Sequence, residues 1–60
     1  MNMTKKRIIL AARDIFLEKG LEGLTMRAVA QVADISPTAI YRHFRNKEEM
    51  LMSVLEEGFR

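Results

Sequence analysis

The sequence predicts a small all-α domain that contains a helix-turn-helix, with a three-helix core followed by the start of a fourth helix. Apolar residues recur at the helical period in four segments, and residues that favour helix ends stand at the segment boundaries. The chain has 60 residues, which is enough for one domain with a core near the lower size limit for independent folding. These observations predict one helical unit and no sheet.

The first helix is predicted over residues 4–19, where Gly20 is expected to end it in the left-handed conformation. One face of this helix carries Ile8, Ala12, Ile15 and Phe16. A turn over residues 21–24 then places Leu24 in the core. The basic run of residues 5–7 is expected to be a solvated end that could approach a nucleic-acid backbone or minor groove.

A second helix is predicted after Thr25, whose hydroxyl can accept a hydrogen bond from a free backbone N–H. Its inward stripe consists of Met26, Val29, Ala30 and Ala33. Residues 33–36 make the next turn, in which Asp34 stands where a left-handed conformation is often needed. Arg27 is expected to face outward.

The third helix is predicted over residues 36–44, with Ser36 as N-cap and Pro37 at the first helical position. Its spacing turns Ile40 and Phe44 inward. The remaining side chains divide between an outward face and two flanks: Thr38 and Arg42 outward, Tyr41 and His43 on the flanks. Between residues 35 and 47 there is no acidic side chain, which favours an anionic partner such as nucleic acid.

The fourth helix is predicted to open with a capping box formed by Asn46 and Glu49. Its apolar seam consists of Met50, Leu51, Val54 and Leu55. Residues 1–13 and 36–47 are basic, whereas the segments after each of them are acidic in balance, within a net charge of +2. This distribution indicates a localised anionic partner.

Several function classes are disfavoured by composition. There is no Cys, and His43 is the sole histidine, without a carboxylate near it in sequence to orient it. No metal-ligand cluster, glycine-rich phosphate loop or apolar run of ~20 residues is present. We therefore expect no enzymatic activity, no cofactor, no metal and no membrane span, in a chain located in the cytoplasm.

Motifs at fixed spacing resemble the N-terminal DNA-binding domain of the TetR family of bacterial transcriptional repressors, over about residues 7–51. They are Ile9, Ala12, Ile15, Phe16 and Gly20; Leu24-Thr25-Met26-Arg27 with Val29-Ala30; Ile35-Ser36 with Ile40-Tyr41-Arg42-His43-Phe44; and Asn46-Lys47-Glu48-Glu49-Met50. One departure is Asp34, where the family often has Gly. The resemblance implies a homeodomain-like core.

The resemblance also implies an organisation and partners. Residues 1–47 are expected to be the helix-turn-helix DNA-binding domain, and residues 48–60 the start of a connecting fourth helix, with the effector and dimerisation domain absent. In the full-length protein the implied partners are a palindromic operator in double-stranded DNA, a second copy in a homodimer, and a small-molecule effector bound by the missing domain.

Ten residues are candidates for DNA contact. The protein is expected to act in the bacterial cytoplasm, on the nucleoid when it is bound to DNA. The candidates for base contact are Arg27, Pro37, Thr38, Ala39 and Arg42. The candidates for phosphate contact are Thr25, Ser36, Tyr41, His43 and Lys47. Taken alone, Tyr41 fits a half-buried aromatic, His43 a cap or packing residue, and Arg42 a solvated charge.

Two other functions fit parts of the sequence. A protein-interaction module could dock a partner helix on the seam of Met50, Leu51, Val54 and Leu55. A membrane-surface helix could form over residues 4–19, although Asp14 and Glu18 and the absence of Trp disfavour it.

Overall fold

The computed structural model describes residues 3–58, which contain helices and turns but no strand. The elements follow in the order α1 (Met3–Gly23), α2 (Met26–Ala33), α3 (Pro37–Tyr41) and α4 (Lys47–Ser53), and a π-helical turn (Val54–Gly58) continues directly from α4. α1 packs against α2, α4 and the π-helical turn, while α3 packs against α2. The predicted all-α class is confirmed.

Gly20 interrupts α1 as predicted, but in a different conformation. Its φ of 75° and ψ of −171° combine a positive φ with an extended ψ, a region that is essentially restricted to glycine. The left-handed cap expected there is therefore wrong. One further helical turn follows, and it delivers Leu24 into the core with no exposed surface.

α2 is closed at both ends by the groups that the sequence indicated. Thr25 Oγ1 accepts a hydrogen bond from the Ala28 N–H at 3.0 Å. At the other end Asp34 is left-handed, with φ 59° and ψ 47°. The Asp34 N–H donates to Gln31 O at 3.2 Å and the Ile35 N–H to Ala30 O at 3.0 Å. This pair of bonds is a Schellman motif, which satisfies carbonyls that the helix itself leaves open.

α3 begins as predicted but is shorter. Ser36 Oγ accepts from the Ala39 N–H at 3.2 Å, and Pro37 is the first helical residue. The predicted end at Phe44 is wrong, because α3 ends at Tyr41. Ile40 O accepts from the N–H groups of both His43 and Phe44 at 2.9 Å, which tightens the turn and carries the Phe44 ring inward.

α4 begins with a modified capping box. Asn46 Oδ1 accepts from the Glu49 N–H at 2.8 Å, as expected for an N-cap. The carboxylate of Glu49 accepts from the Arg45 N–H at 3.3 Å, one residue before the position that a capping box uses. The start of α4 is thus fixed by two side chains.

Every helix contributes to a single apolar core. The buried residues are Ile8, Ile9, Ala11, Ala12, Ile15, Leu24, Met26, Val29, Ala30, Ala33, Ile40, Phe44, Met50 and Val54. They include the predicted inward residues of the first three helices except Phe16, which is only partly buried.

The seam predicted on the fourth helix belongs to this core. Met50 and Val54 have no exposed surface, and Leu51 is partly buried against the core. Leu55 alone faces solvent, with 54% of its surface exposed. The alternative in which this seam docks a partner helix is therefore not favoured, since two of its four residues already pack within the domain.

Candidate nucleic-acid interface

The outward face of α3 is open to solvent. Thr38 and Arg42 are exposed, whereas Ile40 has no exposed surface and Phe44 has 2%. Arg42 keeps a helical backbone, with φ −74° and ψ −24°, although it lies just beyond the end of α3. Thr38 and Arg42 therefore stay on one face at the spacing of four residues, as predicted.

The first turn of α3 completes this surface. Ser36 and Pro37 are exposed and Ala39 is half-buried. Ser36 Oγ accepts the cap bond, so its hydroxyl proton remains able to donate to an anion. Thr25 has the same role at the start of α2. Its hydroxyl oxygen accepts from the Ala28 N–H, and its hydroxyl proton remains available to donate.

The flanking candidates differ in exposure. Tyr41 is 55% exposed, so a large part of its surface is open to a partner. His43 is half-buried, and its ring centroid lies 6.5 Å from that of Phe44 at an interplanar angle of 49°. His43 is therefore partly exposed, and its ring lies beside that of the core residue Phe44. Lys47, the first residue of α4, is also half-buried.

Positive charge near α3 is not neutralised by the protein. Arg27 is exposed on α2, which packs against α3. Within residues 3–58, Arg27, Arg42 and Lys47 make no ion pair, while Arg13 pairs with Asp14 at 3.6 Å. These three cations are not paired with a carboxylate and can bind an anion.

Two basic side chains near the start of α1 contact the helix-turn-helix, and the sequence did not predict these contacts. Arg7 Nη2 donates to Ala33 O at 2.6 Å, and Lys5 Nζ lies 5.8 Å from the centroid of the Phe44 ring. Both residues are exposed, as expected of a solvated basic end, but each also makes a contact within the domain that was not expected. No local pattern could have indicated either contact, since each joins positions far apart in the chain.

Other kinds of site are not present in the part of the chain that the structure describes. No group of three or more His, Cys, Asp or Glu side chains there could hold a metal ion. Among the same residues, no helix has both the length and the apolar character needed to span a bilayer.

The chain is similar to known bacterial regulatory proteins. The family model for bacterial regulatory proteins of the tetR family matches residues 8–54, a range that includes all ten candidate residues. The HTH-type transcriptional regulator UidR of Escherichia coli K12 is 38% identical over 52 residues, which are 87% of this chain and 26% of UidR.

Two further relatives show similar coverage. The HTH-type transcriptional regulator TcmR of Streptomyces glaucescens is 31% identical over 62 residues, 98% of this chain and 27% of TcmR. The HTH-type transcriptional repressor BepR of Brucella suis is 36% identical over 52 residues, 87% of this chain and 25% of BepR. This chain thus spans about a quarter of the length of these relatives. No solved structure matches it at a significant level.

Proposed function

Because this chain belongs to the TetR family of bacterial regulatory proteins, we propose that it binds operator DNA as part of a transcriptional repressor, with α3 in the major groove. The observation that carries the proposal is the exposed face of Thr38 and Arg42, backed by the buried Ile40 and Phe44. An α-helix with its side chains is about 10–12 Å across, which matches a major groove ~12 Å wide.

Base contacts come from the outward face in this proposal. Arg42 donates a pair of hydrogen bonds to guanine O6 and N7, the commonest specific contact in the major groove. Thr38 contacts a neighbouring base edge. Pro37 and Ala39 present small apolar surfaces to a thymine methyl group. Arg27 reaches either a base or a phosphate from α2.

Phosphate contacts surround this face and fix its register without reading sequence. Thr25 and Ser36 donate their free hydroxyl protons, and Lys47 provides a cation. Tyr41 and His43 diverge from the α3 axis and contact backbones on opposite sides of the groove. The half-buried packing of His43 on Phe44 supports this role, because a restrained imidazole loses less conformational freedom on binding.

The proposed assembly is a homodimer on a palindromic operator, with half-sites about one helical turn apart or a multiple of it. Residues 1–47 form the DNA-binding domain in this proposal, and residues 48–60 begin a helix that connects to a dimerisation and effector domain of the full-length protein. A small molecule bound there changes the separation of the two heads and releases the DNA. The repressor BepR among the relatives supports repression as the outcome.

Selection of bound sites from random DNA duplexes tests the proposal, followed by titration of the selected duplex at several salt concentrations. Each phosphate that a cationic side chain neutralises should add about −0.9 to the log–log slope of affinity against salt. A flat salt response, or a selected pool without a shared sequence, contradicts sequence-specific DNA binding. The same titration with a duplex of scrambled sequence is the control.

A further inference from the structure

Two basic side chains near the start of α1 contact the helix-turn-helix on either side of α3. Arg7 Nη2 donates to Ala33 O, the carbonyl of the last α2 residue, at 2.6 Å. Lys5 Nζ lies 5.8 Å from the centroid of the Phe44 ring, which follows the turn after α3. The beginning of α1 therefore meets the chain just before and just after the proposed reading helix.

The Arg7 contact restrains one particular peptide unit. The carbonyl of the Ala33–Asp34 unit accepts from Arg7, while its N–H donates to Gln31 O at 3.2 Å. Carbonyls in the last turn of a helix lack intrahelical partners, and a cation there also interacts favourably with the helix dipole. The unit is thus held at both ends, and the bond with Arg7 is charge-assisted and short.

The restrained unit controls where α3 points. Asp34, the next residue, is left-handed with φ 59°, and α3 starts three residues later at Pro37. A rotation of this peptide unit would swing α3 relative to α2 and displace Arg42 from its base. Recognition groups must stay within ~0.5 Å and ~10–20° of their working geometry, so even a small swing weakens binding.

We propose that Arg7 is a positioning residue for DNA recognition, which fixes the direction of α3 through the Ala33 carbonyl, while Lys5 on Phe44 restrains the other end. The proposal rests on the proposed function of the α3 face. Under this proposal, the Arg7 guanidinium binds the Ala33 carbonyl and does not contact a DNA phosphate.

Replacing Arg7 by Met tests this assignment in salt-dependent titrations with the duplex selected by the wild-type chain. Lys6→Met is the matched control, because it removes one positive charge from the neighbouring exposed position. We expect Arg7→Met to weaken binding roughly tenfold more than Lys6→Met, as for loss of a bond to a charged group. The salt slope of Arg7→Met should equal that of the wild type, because no phosphate contact is lost.

Two results would overturn the proposal. One is equal weakening by the two variants, which would assign the effect of Arg7 to charge alone. The other is a salt slope reduced in magnitude by ~0.9 in Arg7→Met, the signature of a lost phosphate contact.

Amide hydrogen exchange without DNA gives an independent measurement. Arg7→Met should speed exchange of the Asp34 and Ile35 amides about tenfold and leave the Val29 amide, bonded to Thr25 O at 3.0 Å, unchanged. If Arg7→Met unfolds the domain, Arg7→Lys keeps the charge and should speed the same two amides by less. Unchanged exchange at both amides would overturn the proposal. Failure of the wild type to bind DNA would instead contradict the proposed function, and the exchange result would still show whether Arg7 restrains the turn.

Discussion

In the proposed function, single side chains near α3 divide between reading the base sequence and positioning the protein on the DNA backbone. Arg42 is exposed on the outward face of α3, and Lys47 is half-buried at the start of α4. A side chain that bonds to a base edge discriminates among sequences, whereas one that meets phosphate contributes equally to all of them. The two cations should therefore respond differently to truncation.

Arg42→Ala should lower the preference for the selected operator at one or two base pairs, by about 1–3 kcal/mol. Lys47→Ala should weaken all duplexes about equally and reduce the magnitude of the salt slope by ~0.9. Titration of both variants against the operator and its single-base variants measures the difference. Identical profiles for the two variants would contradict the division of roles.

At these positions the sequence predicted which side chains are outward, because helical spacing alone determines the faces of a helix. It did not predict the partners of Arg7 and Lys5, since contacts between distant segments leave no local pattern. It also gave Gly20 the wrong backbone conformation, because several positive-φ conformations are open to glycine and the residue type does not choose among them.

At the scale of elements, the turn between α2 and α3 contains the one non-glycine residue with positive φ among those that the structure describes, Asp34. The left-handed conformation strains residues that have a Cβ atom, although Asp tolerates it better than most. Glycine removes this strain but gains conformational freedom in the unfolded chain. The balance of the two effects gives a signed prediction.

Asp34→Gly should raise the free energy of unfolding by about 0.5–1 kcal/mol, measured by urea denaturation. Asp34→Ala is the contrasting variant. It should lower the same quantity, because alanine keeps the Cβ atom and loses the polar side chain that eases the conformation. Equal effects of the two substitutions would show that the turn is not strained at this residue.

Helix starts were predicted well because caps are local: Thr25, Ser36 and Asn46 each accept the expected type of bond. The end of α3 was placed too late. Periodicity places Phe44 on the inward face in either case, whether the helix continues or ends in a tight turn. The structure has the turn, in which the His43 and Phe44 N–H groups both donate to Ile40 O. Such an end depends on packing and not on a local signal.

At the scale of the whole molecule, α4 is part of the same core as the helix-turn-helix. Met50 and Val54 are fully buried in it. The sequence did not distinguish this arrangement from a docking surface, because an apolar stripe has the same spacing whether it packs on its own domain or on a partner. The number and order of the helices, by contrast, were predictable from periodicity and caps.

Met50→Ala should destabilise the domain by about 2–5 kcal/mol, since it leaves a cavity in the core. Leu55→Ala is the matched control from the same seam and should have an effect within about 0.5 kcal/mol, because the side chain is largely solvated. Thermal unfolding of both variants measures the contrast. A neutral Met50→Ala would place the seam outside the core and restore the docking alternative.

Only a small part of α3 is buried, and this bears on how the target specificity of such a domain can change. Ile40 is the one residue of this five-residue helix that is buried, so its outward neighbours contribute little to folding stability. Thr38 and Arg42 can therefore be exchanged with little effect on folding. New target specificities become accessible by a few substitutions on an unchanged scaffold, in natural divergence and in laboratory libraries alike.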